Sequence, residues 1–311
     1  MMQNENCNNS PNTLDFLWVE VTNRCNLTCK HCYSKSGPNV DISREMSLNE
    51  YKSVVGQAAN LGCRSIQFIG GEPTVYPHIT DLILHAKHSG FEDIEVFTNL
   101  VVLKDEILEL VRNGTIHLAT SFYSSESKVH GEITGREASF KRIVKNIKKV
   151  VDAGGMMRAC VPLMKANKDE YDRTISYLEN LGVQNIRSDT VREFGRAANN
   201  DKECMGNLCG ACAGNVACVD PTGLVSPCIM SKKWRLGDTS QESLADILSC
   251  SSTKKTRQAI SDSVKATSVE SACLPQTCLP NGPDCLPKNC LPQSPGVTRE
   301  FALEQYKFQK G

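Results

Sequence analysis

From about residue 15 to 192 the chain repeats one unit, a short β-rich run followed by a stretch with apolar residues three and four apart. The runs are LWVEV (17–21), SIQFI (65–69), IEVFT (94–98), IHLAT (116–120), MRACVPL (157–163) and NIRSD (185–189). Leu48, Tyr51, Val54, Val55 and Ala58 form the first helical stripe, opened by a capping box of Ser47 and Glu50. Ile79, Leu82, Ile83 and Ala86 form the second, with Pro77 suited to its first turn and Gly90 to its end. Ile107, Leu108 and Val111 form the third, closed by Gly114. Phe140, Ile143, Val144, Ile147 and Val151 form the fourth, closed by Gly154 and Gly155. Tyr171, Thr174, Ile175 and Leu178 form the fifth, with Asn167 and Glu170 placed as caps. Strands that alternate with helices pair in parallel through right-handed crossovers. The fold class is therefore α/β, an open sheet or a full or partial barrel. Its ligand site belongs at the carboxyl ends of the strands.

Charge and hydropathy exclude several classes. Lys plus Arg number 35 and Asp plus Glu 35, so no basic footprint points to nucleic acid or anionic lipid. No run approaches the roughly 18 apolar residues of a spanning helix. The opening segment, MMQNENCNNSPNT, lacks the basic-then-apolar order of a signal peptide. The expectation is a cytoplasmic protein with no membrane and no nucleic-acid partner.

Cysteine is the unusual residue, at 16 in 311. In a long chain of cytosolic character, clustered cysteines point to metal rather than to disulfides. Cys63 and Cys160 lie in or beside apolar elements and read as buried structural thiols. Cys25-x3-Cys29-x2-Cys32 follows the first strand directly. Three thiolates on one loop can hold three corners of a cubane iron–sulfur cluster and leave the fourth iron open. The alternatives are unrelated thiols, or a zinc site with a more distant ligand such as His31.

These three cysteines resemble the signature of the radical S-adenosylmethionine enzymes. The resemblance extends to Gly70-Gly71-Glu72-Pro73 at the end of the second strand, similar to the family's Gly-Gly-Glu-Pro motif. It implies a partial (β/α)6 TIM-like barrel over 15–200, after a flexible segment at 1–14. It also implies a [4Fe-4S] cluster on Cys25, Cys29 and Cys32, whose open iron takes the amino and carboxylate groups of S-adenosylmethionine. Reduction then yields a 5′-deoxyadenosyl radical that abstracts hydrogen from a substrate. In this pattern Gly70, Gly71, Glu72 and Pro73 contact the cofactor, and Asn99 contacts its ribose. Ser121 and Arg136 hold its carboxylate, and His31 sits near adenine. An external donor such as flavodoxin or ferredoxin supplies the electron.

After residue 200 the periodicity fades, and ten cysteines follow. One short helix is expected over 241–249. Val216 to Val219 and Leu224 to Val225 read as a hairpin about Asp220-Pro221-Thr222-Gly223, which brings Cys212 and Cys228 together. Segment 273–292 carries Cys-Leu-Pro four times, and proline at that density prevents helix and central strand. The region 201–311 resembles a SPASM domain, a small Cys-rich unit organised by one or two auxiliary iron–sulfur clusters. Its expected ligands are Cys209, Cys212, Cys228, Cys273, Cys278, Cys285 and Cys290, although the later spacing is wider than is usual in that family. A zinc ribbon on Cys209-x2-Cys212 is the structural alternative, and Cys204, Cys218 and Cys250 are ligands or bystanders. SPASM-bearing relatives often modify a ribosomally made peptide, so a peptide is the expected substrate. A sugar or antibiotic precursor is the second reading, and a non-catalytic zinc protein the third. The roughly 15 residues before the first strand are too few for a winged-helix peptide clasp.

Overall fold

The computed structural model describes residues 13–198 and 203–270. Six parallel strands form its frame: β1 (Phe16–Glu20), β2 (Ser65–Ile69), β3 (Asp93–Phe97), β4 (His117–Ser121), β5 (Met157–Leu163) and β6 (Asn185–Thr190). Each lies within about a residue of the run that predicted it. Between them stand α1 (Leu48–Asn60), α2 (Ile79–His88), α3 (Asp105–Arg112), α4 (Ser127–Thr134), α5 (Ser139–Asp152) and α6 (Tyr171–Asn180). Three further strands, β7 (Val216–Val219), β8 (Leu224–Ser226) and β9 (Gly237–Asp238), complete one sheet. Its order is β6-β5-β4-β3-β2-β1-β7-β8-β9, so β6 and β9 are edges and the barrel does not close.

Both faces of the sheet are covered. On β1, Leu17 and Val19 belong to the apolar layer beneath the helices. Phe16 and Trp18 point the other way, into a second apolar cluster with Ile69, Cys212, Cys218 and Cys228. Alternation along a strand produces this division, and burial on both sides accounts for the continuous apolar runs of a parallel sheet.

Several local expectations change. The capping box at Ser47 and Glu50 forms in full. Pro77 falls before α2, whose first residue is Ile79. Asn167 caps nothing; its amide donates to the carbonyls of Tyr123 and Pro162 at 2.8 and 2.9 Å, tying the ends of β4 and β5. Glu170 precedes α6 without a side-chain cap bond. No helical stripe marks α4 in the sequence, because its eight residues hold Gly131 and only two large aliphatics. The C-terminal region forms α7 (Leu244–Ser249), as expected, and a 20-residue α8 (Ser251–Glu270), which was not. Among the described side chains of α8, Thr253 and Ile260 are buried, too sparse to show as a periodic pattern. The parallel pairing of β7 with β1 was also unforeseen, because a strand so distant in sequence leaves no local signal. Lys232 reinforces that junction, with Nζ 2.6 Å from the buried Glu20 carboxylate.

Beside the apolar cluster, in register with Trp18, the inner face of the sheet carries a polar network on β2, β3, β4 and β5. Arg158 donates to both oxygens of Glu95 at 2.7 and 2.8 Å, His117 approaches at 3.1 Å, and Gln67 also donates to Glu95. Burial works against charge on Glu95, but Arg158 and His117 outweigh it and hold the carboxyl below its ordinary value. Glu95→Ala leaves the Arg158 guanidinium without its partner, and urea unfolding is expected to show a loss of roughly 3–5 kcal/mol. The depressed value sets the sign of the pH dependence. The carboxylate's contribution is complete above the unfolded value of about 4.3 and disappears as pH falls through the lower folded value. The stability difference between wild type and Glu95→Ala should therefore narrow below that value.

Candidate active site

The loop after β1 carries the three cysteines and contains no regular element. Neighbouring backbone holds it from two sides. Gly71 and Glu72 donate to the carbonyls of Thr22 and Arg24 at 2.7 and 2.9 Å. Thr28 and Lys30 donate to the carbonyls of Thr134 and Ile133, at the end of α4, at 3.1 and 3.0 Å. The helix hidden in the sequence is therefore one wall of the cysteine loop.

The glycine pair has a role in packing the loop. A Cβ on Gly70 would stand 2.5 Å from the Thr22 carbonyl oxygen, and one on Gly71 2.3 Å from that of Arg24. These glycines admit the cysteine loop against β2, and both also line the cavity described below. Glu72 is fully buried and outside that lining. Its carboxylate accepts from Thr74 N and Oγ1, Thr98 Oγ1 and Asn99 N at 3.0, 2.7, 2.7 and 2.7 Å. Burial raises its pKa, against these four hydrogen bonds. Glu72 joins the ends of β2 and β3, and Pro73 opens the short 3-10 turn that follows.

Cys25, Cys29 and Cys32 line one cavity at the carboxyl ends of the strands. The cavity has a volume of about 120 Å³. Ile69, Phe97 and Met230 give it apolar walls; Asn99, Ser121 and Arg192 give it polar ones. Asn99 donates to Asn26 Oδ1 at 2.7 Å and approaches Cys25 Sγ at 3.7 Å. Arg136 stands exposed between α4 and α5, away from the lining. His31 meets the Tyr123 hydroxyl at 3.1 Å, and burial lowers its pKa to about 4. His130, on α4, went unnoticed in the sequence. It lines the cavity, is packed among Phe122, Tyr123 and Phe140, and has no partner for either ring nitrogen. Burial lowers its pKa to about 4, so the ring is neutral.

The donor set fits an iron–sulfur cluster. Burial, then neighbouring negative charge, pushes the Cys25 and Cys29 thiols up to about 12. Held by these three cysteines, a cationic cluster core would offset that penalty and favour their thiolates. Among the described residues, no three His, Cys, Asp or Glu side chains are grouped as ligands of one metal ion. The unpartnered His130 nitrogens beside the polar wall suit a polar ligand in the same cavity.

The second cysteine set lies behind the cavity wall. Cys212 and Cys228 are buried and hydrogen-bonded to each other, with Cys209 near enough to act on both electrostatically. The bond raises one thiol and lowers the other. Hairpin β7–β8 produces this approach, as its turn residues predicted. Tyr33 and Met230 belong to the cavity lining and also pack on this cluster. Cys204 is exposed, Cys250 half-buried, and Cys63, Cys160 and Cys218 fully buried. Cys273, Cys278, Cys285 and Cys290 lie outside the described residues.

A carboxyl-face cavity with three convergent thiols, on an open six-stranded parallel barrel, defines a class. The chain belongs to the radical SAM superfamily, whose model matches residues 19–178, more than half of its length. The SPASM model, an iron–sulfur cluster-binding domain, matches residues 209–278. The chain is 30% identical over 179 residues to the antilisterial bacteriocin subtilosin biosynthesis protein AlbA of Bacillus subtilis, covering 57% of this chain and 39% of AlbA. It is 29% identical over 176 residues to a probable GTP 3′,8-cyclase of Saccharolobus islandicus, covering 56% of each. The chain thus spans roughly half the length of these curated relatives or less. Streptococcus suis SuiB, solved with S-adenosylmethionine and also with its precursor peptide SuiA, shares the fold. In the S-adenosylmethionine complex the TM-score is 0.64 at 15% identity, over 78% of this chain and 67% of SuiB. None of the described helices is long and apolar enough to cross a membrane.

Gly71→Ala tests the approach of the two loops. The added carbon meets backbone that cannot turn aside. The cysteine loop should shift, and urea unfolding should show a loss of about 1–3 kcal/mol.

Proposed function

We propose that the chain is a radical S-adenosylmethionine enzyme that modifies a ribosomally made peptide in the cytoplasm. The observation that carries the reading is the convergence of Cys25, Cys29 and Cys32 on one carboxyl-face cavity. The match to the radical SAM superfamily supports the chemistry. The SPASM match and the likeness to AlbA support the peptide.

In this reading Cys25, Cys29 and Cys32 hold three irons of a [4Fe-4S] cluster, and S-adenosylmethionine completes the fourth. Bound there, the cluster would supply one electron, taken from an external donor such as flavodoxin or ferredoxin, to break the sulfonium S–C5′ bond into methionine and a 5′-deoxyadenosyl radical that takes hydrogen from the substrate. Asn99 and Ser121 offer polar contacts to the nucleoside and amino-acid parts. Ile69, Phe97 and Met230 exclude water around them. Gly70, Gly71, Glu72 and Pro73 shape the loop that sets the thiols. Arg136 reaches the carboxylate only by moving toward the cavity. Cys209, Cys212 and Cys228, with the later cysteines, hold auxiliary clusters in the unit from 201 onward, beside a catalytic unit over 15–200.

Anaerobic reconstitution tests the assignment. Replacing Cys25, Cys29 and Cys32 together by Ala should remove about four irons, retain the others and abolish 5′-deoxyadenosine formation. Zinc in place of iron in the wild type contradicts it. The likeness to probable GTP 3′,8-cyclases favours a small-molecule substrate as the second reading. Stimulation of S-adenosylmethionine cleavage by a short peptide encoded beside the gene supports the first reading, and stimulation by a nucleotide supports the second.

A further inference from the structure

Beyond β6 the chain folds back over the cysteine loop. Gly195 has φ of 60°, and a Cβ there would stand 2.2 Å from the Tyr33 carbonyl oxygen and 2.4 Å from that of Cys32. Only glycine allows this approach. Glu203 Oε1 accepts from the Gly195 amide at 2.9 Å and fixes the turn. The next residue, Arg196, then makes three bonds to the loop. Its amide donates to the Cys32 carbonyl at 2.9 Å. Its Nε donates to the Cys29 carbonyl at 2.8 Å, and its Nη2 to the Ser36 carbonyl at 2.9 Å. One exposed arginine thus binds the backbone of two of the three cysteines and the far side of their loop. A guanidinium spans two carbonyls because its donors form a rigid fork, and its charge persists at any working pH.

We propose that Arg196 is a positioning residue for the cysteine loop. It fixes the spacing of Cys29 and Cys32, and it keeps a positive charge beside the cluster they hold. This rests on reading Cys25, Cys29 and Cys32 as cluster ligands. When the external donor gives up one electron and the cluster gains it, the cluster becomes more negative by one charge. A fixed cation nearby stabilises that state and raises the reduction potential. Hydrogen bonds to the backbone of the ligands also slow cluster loss, as outer partners of metal ligands do.

The test uses the full chain, reconstituted without oxygen, as wild type, Arg196→Gln and Arg196→Lys. The readouts are the midpoint potential from an electron paramagnetic resonance titration and the rate of iron release to a chelator. Arg196→Gln should move the potential to a more negative value and release iron about tenfold faster. Arg196→Lys keeps the charge but loses the fork, so its potential should lie closer to wild type while its iron release is as fast as in Arg196→Gln. Wild-type potential in an Arg196→Gln chain with wild-type circular dichroism overturns the proposal. If Arg196→Gln does not fold, wild-type iron release in Arg196→Lys overturns it instead. A wild-type chain that binds no cluster overturns the underlying reading of the cysteines, which separates the two failures.

Discussion

At the end of β2 the Gly71 amide donates to the Thr22 carbonyl at 2.7 Å, and a Cβ on Gly71 would stand only 2.3 Å from the Arg24 carbonyl oxygen. The cysteine loop depends on this approach. A loop without regular structure cannot aim three thiols at one cavity unless other backbone fixes it. Three segments do so: Gly71 and Glu72 beyond β2, the end of α4, and Gly195 with Arg196 beyond β6. Each comes from a different βα unit, so the parallel frame is what brings them to one end of the barrel.

On the inner face of the sheet the polar groups around Glu95 and Arg158 lie beside an apolar layer with Phe16 and Trp18, Trp18 being in register with Gln67, and the thiol-lined cavity lies at the carboxyl ends of the strands. The apolar layer extends without a break to Cys212 and Cys228, because β7 pairs directly with β1. The second cysteine set is therefore fastened to the same sheet as the first. Tyr33 and Met230 lie between them and pack on both sides. The Lys232–Glu20 pair adds an electrostatic tie at the same junction.

The frame was legible in the sequence because strand and helix periods differ and the caps of α1 follow local rules. The cysteine spacing and the Gly-Gly-Glu-Pro segment announced the site, and the Asp220–Gly223 turn announced the meeting of Cys212 and Cys228. What stayed hidden depends on tertiary contact. The bonds that Glu72 accepts from Thr74, Thr98 and Asn99 join two strand ends and leave no mark in its motif. Helix α4 and His130 lacked a clear stripe, and α8 is stabilised by the turns around Met205 and Cys212 that it covers. Arg196 lies far from the cysteines in sequence, so no spacing rule connects them.

The central claim is that the three thiols hold a cluster with one iron open to S-adenosylmethionine. Electron paramagnetic resonance of the reduced, reconstituted protein, with and without S-adenosylmethionine, tests it most directly. The account predicts a [4Fe-4S]⁺ signal whose g values change when S-adenosylmethionine is added, because the ligand reaches the open iron. A cluster signal that S-adenosylmethionine leaves unchanged, or no cluster signal at all, contradicts it.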